Sequence, residues 1–196
     1  MSYERFNDIR SDAVALAMSE LGPERRVLDL GANDGWLSAR LAGFGHRVVA
    51  VERNQRERRP VELTATGTIE WIEREISADE LPTLGRFDVV IALSVLHHFP
   101  KPAEAWRNLH GMARQLAVVE IPDPREARRP AKASAWSNLR ESVLATPGAD
   151  VVLTLPGWGR DTSRSLVVVE IANVESEPSS ADSGAHGEAR SDDEGR

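Results

Sequence analysis

No cysteine occurs in the 196 residues, so disulfides, thiolate zinc sites and cysteine nucleophiles are all excluded. The N-terminal MSYERFNDIRSD has no basic stretch followed by an apolar one, and the longest uncharged apolar run, around VVIALSVL, is far too short to cross a bilayer. A soluble, cytoplasmic protein with no membrane partner is therefore expected. There is no internal repeat and no net positive charge; the formal charge is -7. Its distribution matters more than its sum. From Asn173 onward stand seven acidic and two basic residues, so the last 24 positions carry -5 and the rest of the chain only -2. That segment, NVESEPSSADSGAHGEARSDDEGR, has almost no large apolar side chains to offset its ordering entropy, and residues 173–196 are predicted to be an acidic disordered tail.

What remains, residues 1–172, suits one domain, with 41% apolar content across the chain to build a core. Two basic clusters, Arg53, Arg56, Arg58, Arg59 and Arg125, Arg128, Arg129, Lys132, read first as solvated surface. Strand-like and helix-like segments alternate. SDAVALAMSEL is predicted helical, VLDLG a strand, WLSARLAG a helix, and HRVVAVE and IEWIERE strands; FDVVIALSV, apolar on both faces, reads as a buried central parallel strand. PAEAWRNLHGMARQ and KASAWSNLRESVLA are predicted helices around the strand LAVVEIP. Trp36, Trp106 and Trp136 are read as core residues on their helices. The last two strands, DVVLTLP and SLVVVEIA, have no helix between them and should form an antiparallel hairpin at one sheet edge, joined by GWGRDTSR, where Trp158 sits between two glycines. The alternation argues for an α/β fold, a mostly parallel sheet covered by helices on both faces.

In such sheets ligands lie outside the carboxyl ends of the strands. VLDLGANDGW breaks from a strand into a glycine-bracketed turn and then a helix, so Gly31 and Gly35 allow close backbone approach at a helix N-terminus. Glu52 ends the second strand 21 residues after Gly31, close to the spacing at which an acidic side chain receives a ribose diol. That pair also fits a nicotinamide cofactor. The turn, however, is not G-x-G-x-x-G, and Asp29 puts negative charge where a pyrophosphate would be unwelcome, so a cationic ligand fits better.

DLGANDG, the Glu52 that closes HRVVAVE, and FDVVIALSVLHHF resemble the successive motifs of class I S-adenosylmethionine-dependent methyltransferases, over roughly residues 25 to 122. The resemblance implies a three-layer, doubly wound, mostly parallel seven-stranded sheet in the order 3-2-1-4-5-7-6 with strand 7 antiparallel. By motif it implies that Asp29 and Gly31 flank the methionine portion of the donor, Glu52 holds the ribose hydroxyls, Glu75 and the Ile76 backbone face the adenine, and Ser94 to His97 line the methyl side. Asn33 stands where the family has a middle glycine; asparagine tolerates left-handed φ better than most residues. Gly35 completes the turn.

For a hydroxyl or amine acceptor a neighbouring base should take up the proton, and His97 is the first choice, with His98 and Asp123 behind it. Carbon-5 pyrimidine methylation commonly needs the missing cysteine, and exocyclic base methylation uses [ND]-P-P-[FYW] where this chain has Ser94-Val95-Leu96-His97. No catechol-type metal site can be assembled. A small-molecule acceptor is expected. RNA is the other candidate partner, because SADELPTLGRFDVVIALSVLHHFPKPAEAWRNL is loosely similar to enzymes that modify the wobble uridine of tRNA. A nicotinamide-dependent oxidoreductase and a non-catalytic nucleotide-binding protein are the alternatives from other classes.

Overall fold

The computed structural model describes residues 3–54 and 67–172; the predicted tail and Arg56, Arg58 and Arg59 lie outside them. Seven strands form one sheet: β1 (Arg26–Leu30), β2 (Arg47–Val51), β3 (Thr68–Ile72), β4 (Phe87–Ala92), β5 (Ala113–Ile121), β6 (Ala149–Pro156) and β7 (Ser163–Glu170). Their order is β3-β2-β1-β4-β5-β7-β6. The first five run parallel, and β7 is antiparallel to both β5 and β6. Four helices cover the sheet: α1 (Tyr3–Ala17), α2 (Trp36–Gly43), α3 (Pro102–Met112) and α4 (Pro130–Leu144).

The alternation of side chains along each strand builds two cores. On one face Leu28, Leu30, Val90, Ala92, Val119, Ile121 and Val167 pack against Trp106 and Leu109 of α3 and Leu139 and Val143 of α4. On the other, Val27, Val89, Ile91, Leu116, Val118 and Leu166 pack against Val14 and Met18 of α1 and Leu37 and Leu41 of α2. Trp106 and Trp136 are buried, as their helical spacing predicts. Trp36 is not. It opens α2, stays 39% exposed and borders the cavity described below, because the first turn of this short helix projects past the sheet.

Two predicted boundaries also moved. α1 begins eight residues before the predicted SDAVALAMSEL, at Tyr3, which brings Arg10 into the helix. ARQ belongs to β5 rather than to α3, since the sheet pairs it with β4 and β7 beyond the reach of local propensity. Strand order reverses between β1 and β4, and the carboxyl ends of those strands define the site. Among the described residues no helix is long and apolar enough to cross a membrane.

Candidate active site

A cavity of about 700 Å³ opens at that reversal. Asp29, Gly31, Asn33 and Asp34 from the turn after β1, Glu52 after β2, Glu75 and Ile76 after β3, Ser94 and His98 after β4, and Arg10 of α1 all line it. The sequence-selected turn residues therefore meet, although they come from four strand ends. Gly35 adjoins them as the left-handed residue (φ 82°) that launches α2.

The turn is built from backbone that few residues adopt. Gly31 has φ 78°, and a Cβ there would come within 2.8 Å of the Val95 side chain. Asn33 has φ 51°, the left-handed conformation that its amide side chain tolerates. The Gly31 and Ala32 amides donate to the Val51 carbonyl at 2.8 and 3.0 Å, which ties the turn to β2. The Asn33 amide donates to Glu52 Oε2 at 3.0 Å, and the Asn54 amide to Oε1 at 2.9 Å. Each Glu52 oxygen thus keeps lone-pair capacity while its direction is set. The N-terminus of α2, the place where a phosphate would bind, is taken by the chain's own carboxylate: Asp34 Oδ1 accepts from the Trp36 amide at 3.2 Å.

Asp29 lies at the end of β1 on the α2 side of the sheet, buried, with Ser38 donating to Oδ2 at 2.6 Å. Burial pushes its carboxyl up from 3.8 to about 6, against the Ser38 hydrogen bond, and the charges of Glu52 and Asp34 push the same way. Three carboxylates thus converge on one turn. A cationic ligand relieves that field, whereas a pyrophosphate would intensify it. The residues present fit a positively charged adenosyl donor: a carboxylate for a sugar diol, a buried carboxylate for a cation and an uncrowded backbone between them.

Glu75 is exposed and pairs with Arg53 at 3.5 Å, while Ile76 is buried. Ser94 has φ 53°. Its hydroxyl donates to Glu120 Oε1 at 2.6 Å and accepts from Arg10 Nη2 at 3.1 Å and Arg164 Nη1 at 3.0 Å. Glu120 pairs with Arg10 at 2.7 Å and with Arg164 at 3.1 Å, and all three are buried. This network was not foreseen; the only local signal is one acid, Glu120, inside an otherwise apolar strand. Ser38 likewise carried no sequence signal.

The three base candidates occupy different places. His98 is on the cavity wall. His97 is not; it is 7% exposed, its ring stands edge-on to Trp136 with centroids 4.9 Å apart, and its carbonyl accepts from the Trp136 indole at 3.2 Å. Burial pushes the His97 imidazole down to about 3, with His98, Arg164 and Lys132 adding to it. Asp123 is not on the wall either. It caps the short turn Pro124–Glu126 and accepts from Arg125 Nε and Nη2, which holds it well below the usual carboxylate range. No cluster of three or more metal-ligating side chains exists among the described residues.

The methyltransferase-domain family matches residues 1–150. An uncharacterised methyltransferase of Mycobacterium tuberculosis is 37% identical over 121 residues, 60% of either chain. The ubiquinone biosynthesis O-methyltransferase of Dechloromonas aromatica is 33% identical over 170 residues, 85% of this chain and 68% of the relative. The chain thus spans about three fifths of the mycobacterial relative's length. Among solved structures, magnesium protoporphyrin IX methyltransferase from Synechocystis, with S-adenosylmethionine bound, superposes with a TM-score of 0.59 at 19% identity, covering 84% of this chain and 79% of that one. The bifunctional kinase-methyltransferase WbdD gives 0.61 at 18% identity, over 85% of this chain and 39% of its own. These two show the same fold. Motifs, strand order and family match agree: the chain belongs to the class I S-adenosylmethionine-dependent methyltransferases.

Proposed function

We propose that the protein transfers a methyl group from S-adenosylmethionine to an oxygen or nitrogen nucleophile of a small molecule. The observation that carries this reading is the ring of Asp29, Asp34 and Glu52 around a turn whose amides are already engaged. Glu52 receives the ribose hydroxyls, Asp29 faces the cationic end beside Gly31, Asn33 and Gly35 shape the turn, Glu75 and the Ile76 backbone border the adenine, and Ser94 marks the methyl side. The bound donor supplies an already activated methyl, so the chain has to align the acceptor and exclude water. His98 is the base of choice. Burial first, then Lys132, Arg53 and Arg164, lower its affinity for a proton, so it is neutral at pH 7 and able to accept one from the acceptor. His97 braces it, with ring centroids 4.1 Å apart, and Asp123 serves as a turn cap. The names of the O-methyltransferase relatives favour oxygen as the nucleophile.

Two experiments test this. Calorimetry should show binding of S-adenosylmethionine and S-adenosylhomocysteine and none of NAD; the reverse would make the protein a dinucleotide enzyme. Incubation with labelled donor and fractionated metabolites, RNA and protein should label the metabolite fraction, and label in RNA would overturn the small-molecule reading.

A further inference from the structure

One assembly outside the donor cavity has no part in the reading above. Glu126, in the turn after β5, is buried with its side chain 4% exposed. Its Oε2 accepts from Arg164 Nε at 3.1 Å and Nη2 at 2.6 Å. Its Oε1 accepts from the Trp158 amide at 3.0 Å and the Thr162 hydroxyl at 3.1 Å, seated so closely on Gly157 that a Cβ there would collide with it. Arg125 Nη2 donates to the Asp161 carbonyl at 2.7 Å. The β6–β7 loop is thus fastened by side chains from a different part of the chain. What it presents is Trp158, 64% exposed, its ring 5.6 Å from the Arg164 guanidinium.

Arg164 also reaches Ser94, which lines the donor cavity, so Trp158 stands two contacts from the methyl side. From α4, Trp136 packs on His97, and Lys132 lies 5.2 Å over the Trp136 ring. Lys132 is exposed and has no carboxylate partner among the described residues. His97 keeps its buried Nδ1 without a hydrogen-bond partner. Besides each other, the charged groups that act on the two histidines are all cations: Lys132 and Arg164 on both, and Arg53 on His98. An exposed indole on a fixed loop offers a stacking face, and the groups around it favour negative charge.

We propose that the acceptor subsite lies between Trp158 and His98 and takes a flat aromatic molecule bearing an acidic group, with Trp158 stacking on its ring and Lys132 meeting its charge. This rests on the methyltransferase reading. The acceptor oxygen forms the bond to the methyl carbon, the carbon–sulfur bond of the donor breaks to leave the neutral thioether, and the hydroxyl proton passes to His98. Glu126 is the positioning residue that holds Trp158 in place.

The test uses the full chain saturated with S-adenosylhomocysteine and three matched probes, 6-hydroxy-2-naphthoate, 2-naphthol and decahydro-6-hydroxy-2-naphthoate, titrated by calorimetry. The planar acid should bind at least tenfold more tightly than either the neutral naphthol or the saturated acid. Trp158→Ala should erase the preference for the flat ring, Lys132→Met the preference for the acid, and Glu126→Gln should weaken the ring preference with the melting temperature recorded alongside. Both Trp158 and Lys132 are exposed, so those two variants should fold and bind S-adenosylhomocysteine as the parent does. Equal binding of the three probes, no binding of any, or preferences unmoved in the Trp158 and Lys132 variants would overturn the inference. So would tighter binding of a short single-stranded RNA that Trp158→Ala leaves intact. Failure of S-adenosylhomocysteine to bind the parent would instead defeat the donor reading itself.

Discussion

Asp29 is held in a state that the free protein does not favour. Its carboxyl is raised from 3.8 to about 6, first by burial, so the folded protein holds an extra proton between those values. Stability from this group is therefore full below 3.8 and is lost as pH rises through 6. Above that, burying the charge costs roughly 3 kcal/mol. Asp29→Asn keeps an acceptor for Ser38 and removes the charge. Thermal unfolding at pH 7 should show the variant to be more stable by about 1–3 kcal/mol and without the loss between pH 4 and 6, while calorimetry shows weaker donor binding. A variant that is less stable at pH 7 would contradict this account. Glu52→Ala should weaken S-adenosylhomocysteine binding by about 1–3 kcal/mol, the cost of leaving buried polar groups unpaired; an unchanged affinity would remove Glu52 from the site. His98→Gln should lower kcat by about 10²–10⁴ and flatten its acid limb. His97→Phe, which fills the same space without an unpartnered nitrogen, should cost far less.

Element boundaries and pairing were largely legible, and the reason is periodicity. VVIA in β4 is apolar at every position because helices cover both faces, and the hairpin followed from the missing helix between β6 and β7. Trp36 was misread because a helical pattern says which residues share a face and not whether the first turn still overlies the sheet. His97 and His98 look equivalent in sequence; the short turn Leu96–His98 sends one to the α4 side and the other to the cavity. The Arg10–Ser94–Arg164–Glu120 network was illegible because its members lie 84 and 70 residues apart in the two Ser94 contacts and no local rule joins them. That network ties α1 to β5 and β7. Breaking one partner of a buried pair is costly, so Arg10→Met should destabilise the protein by about 3–5 kcal/mol and loosen amide-exchange protection in α1, more than Arg40→Met at the exposed pair with Asp12.

At the scale of the whole molecule, ligand linkage gives the broadest check. S-adenosylhomocysteine at one hundred times its Kd should stabilise the fold by about 2.7 kcal/mol. For a domain of this length that is a rise in Tm of roughly 5–10 °C, visible in a thermal-shift scan, with NAD giving none. Removing residues 173–196 takes away -5 of the -7 formal charge and should leave that ligand-induced rise intact, since the cavity is lined wholly from earlier residues.

Asp34 sits where a helix would otherwise welcome phosphate. Re-engineering the crevice for a dinucleotide would therefore require discharging Asp34 and Asp29 and freeing the Asn33 amide from Glu52. Each step taken singly weakens the present ligand before the new one can be held, so the two specificities are separated by variants that bind neither.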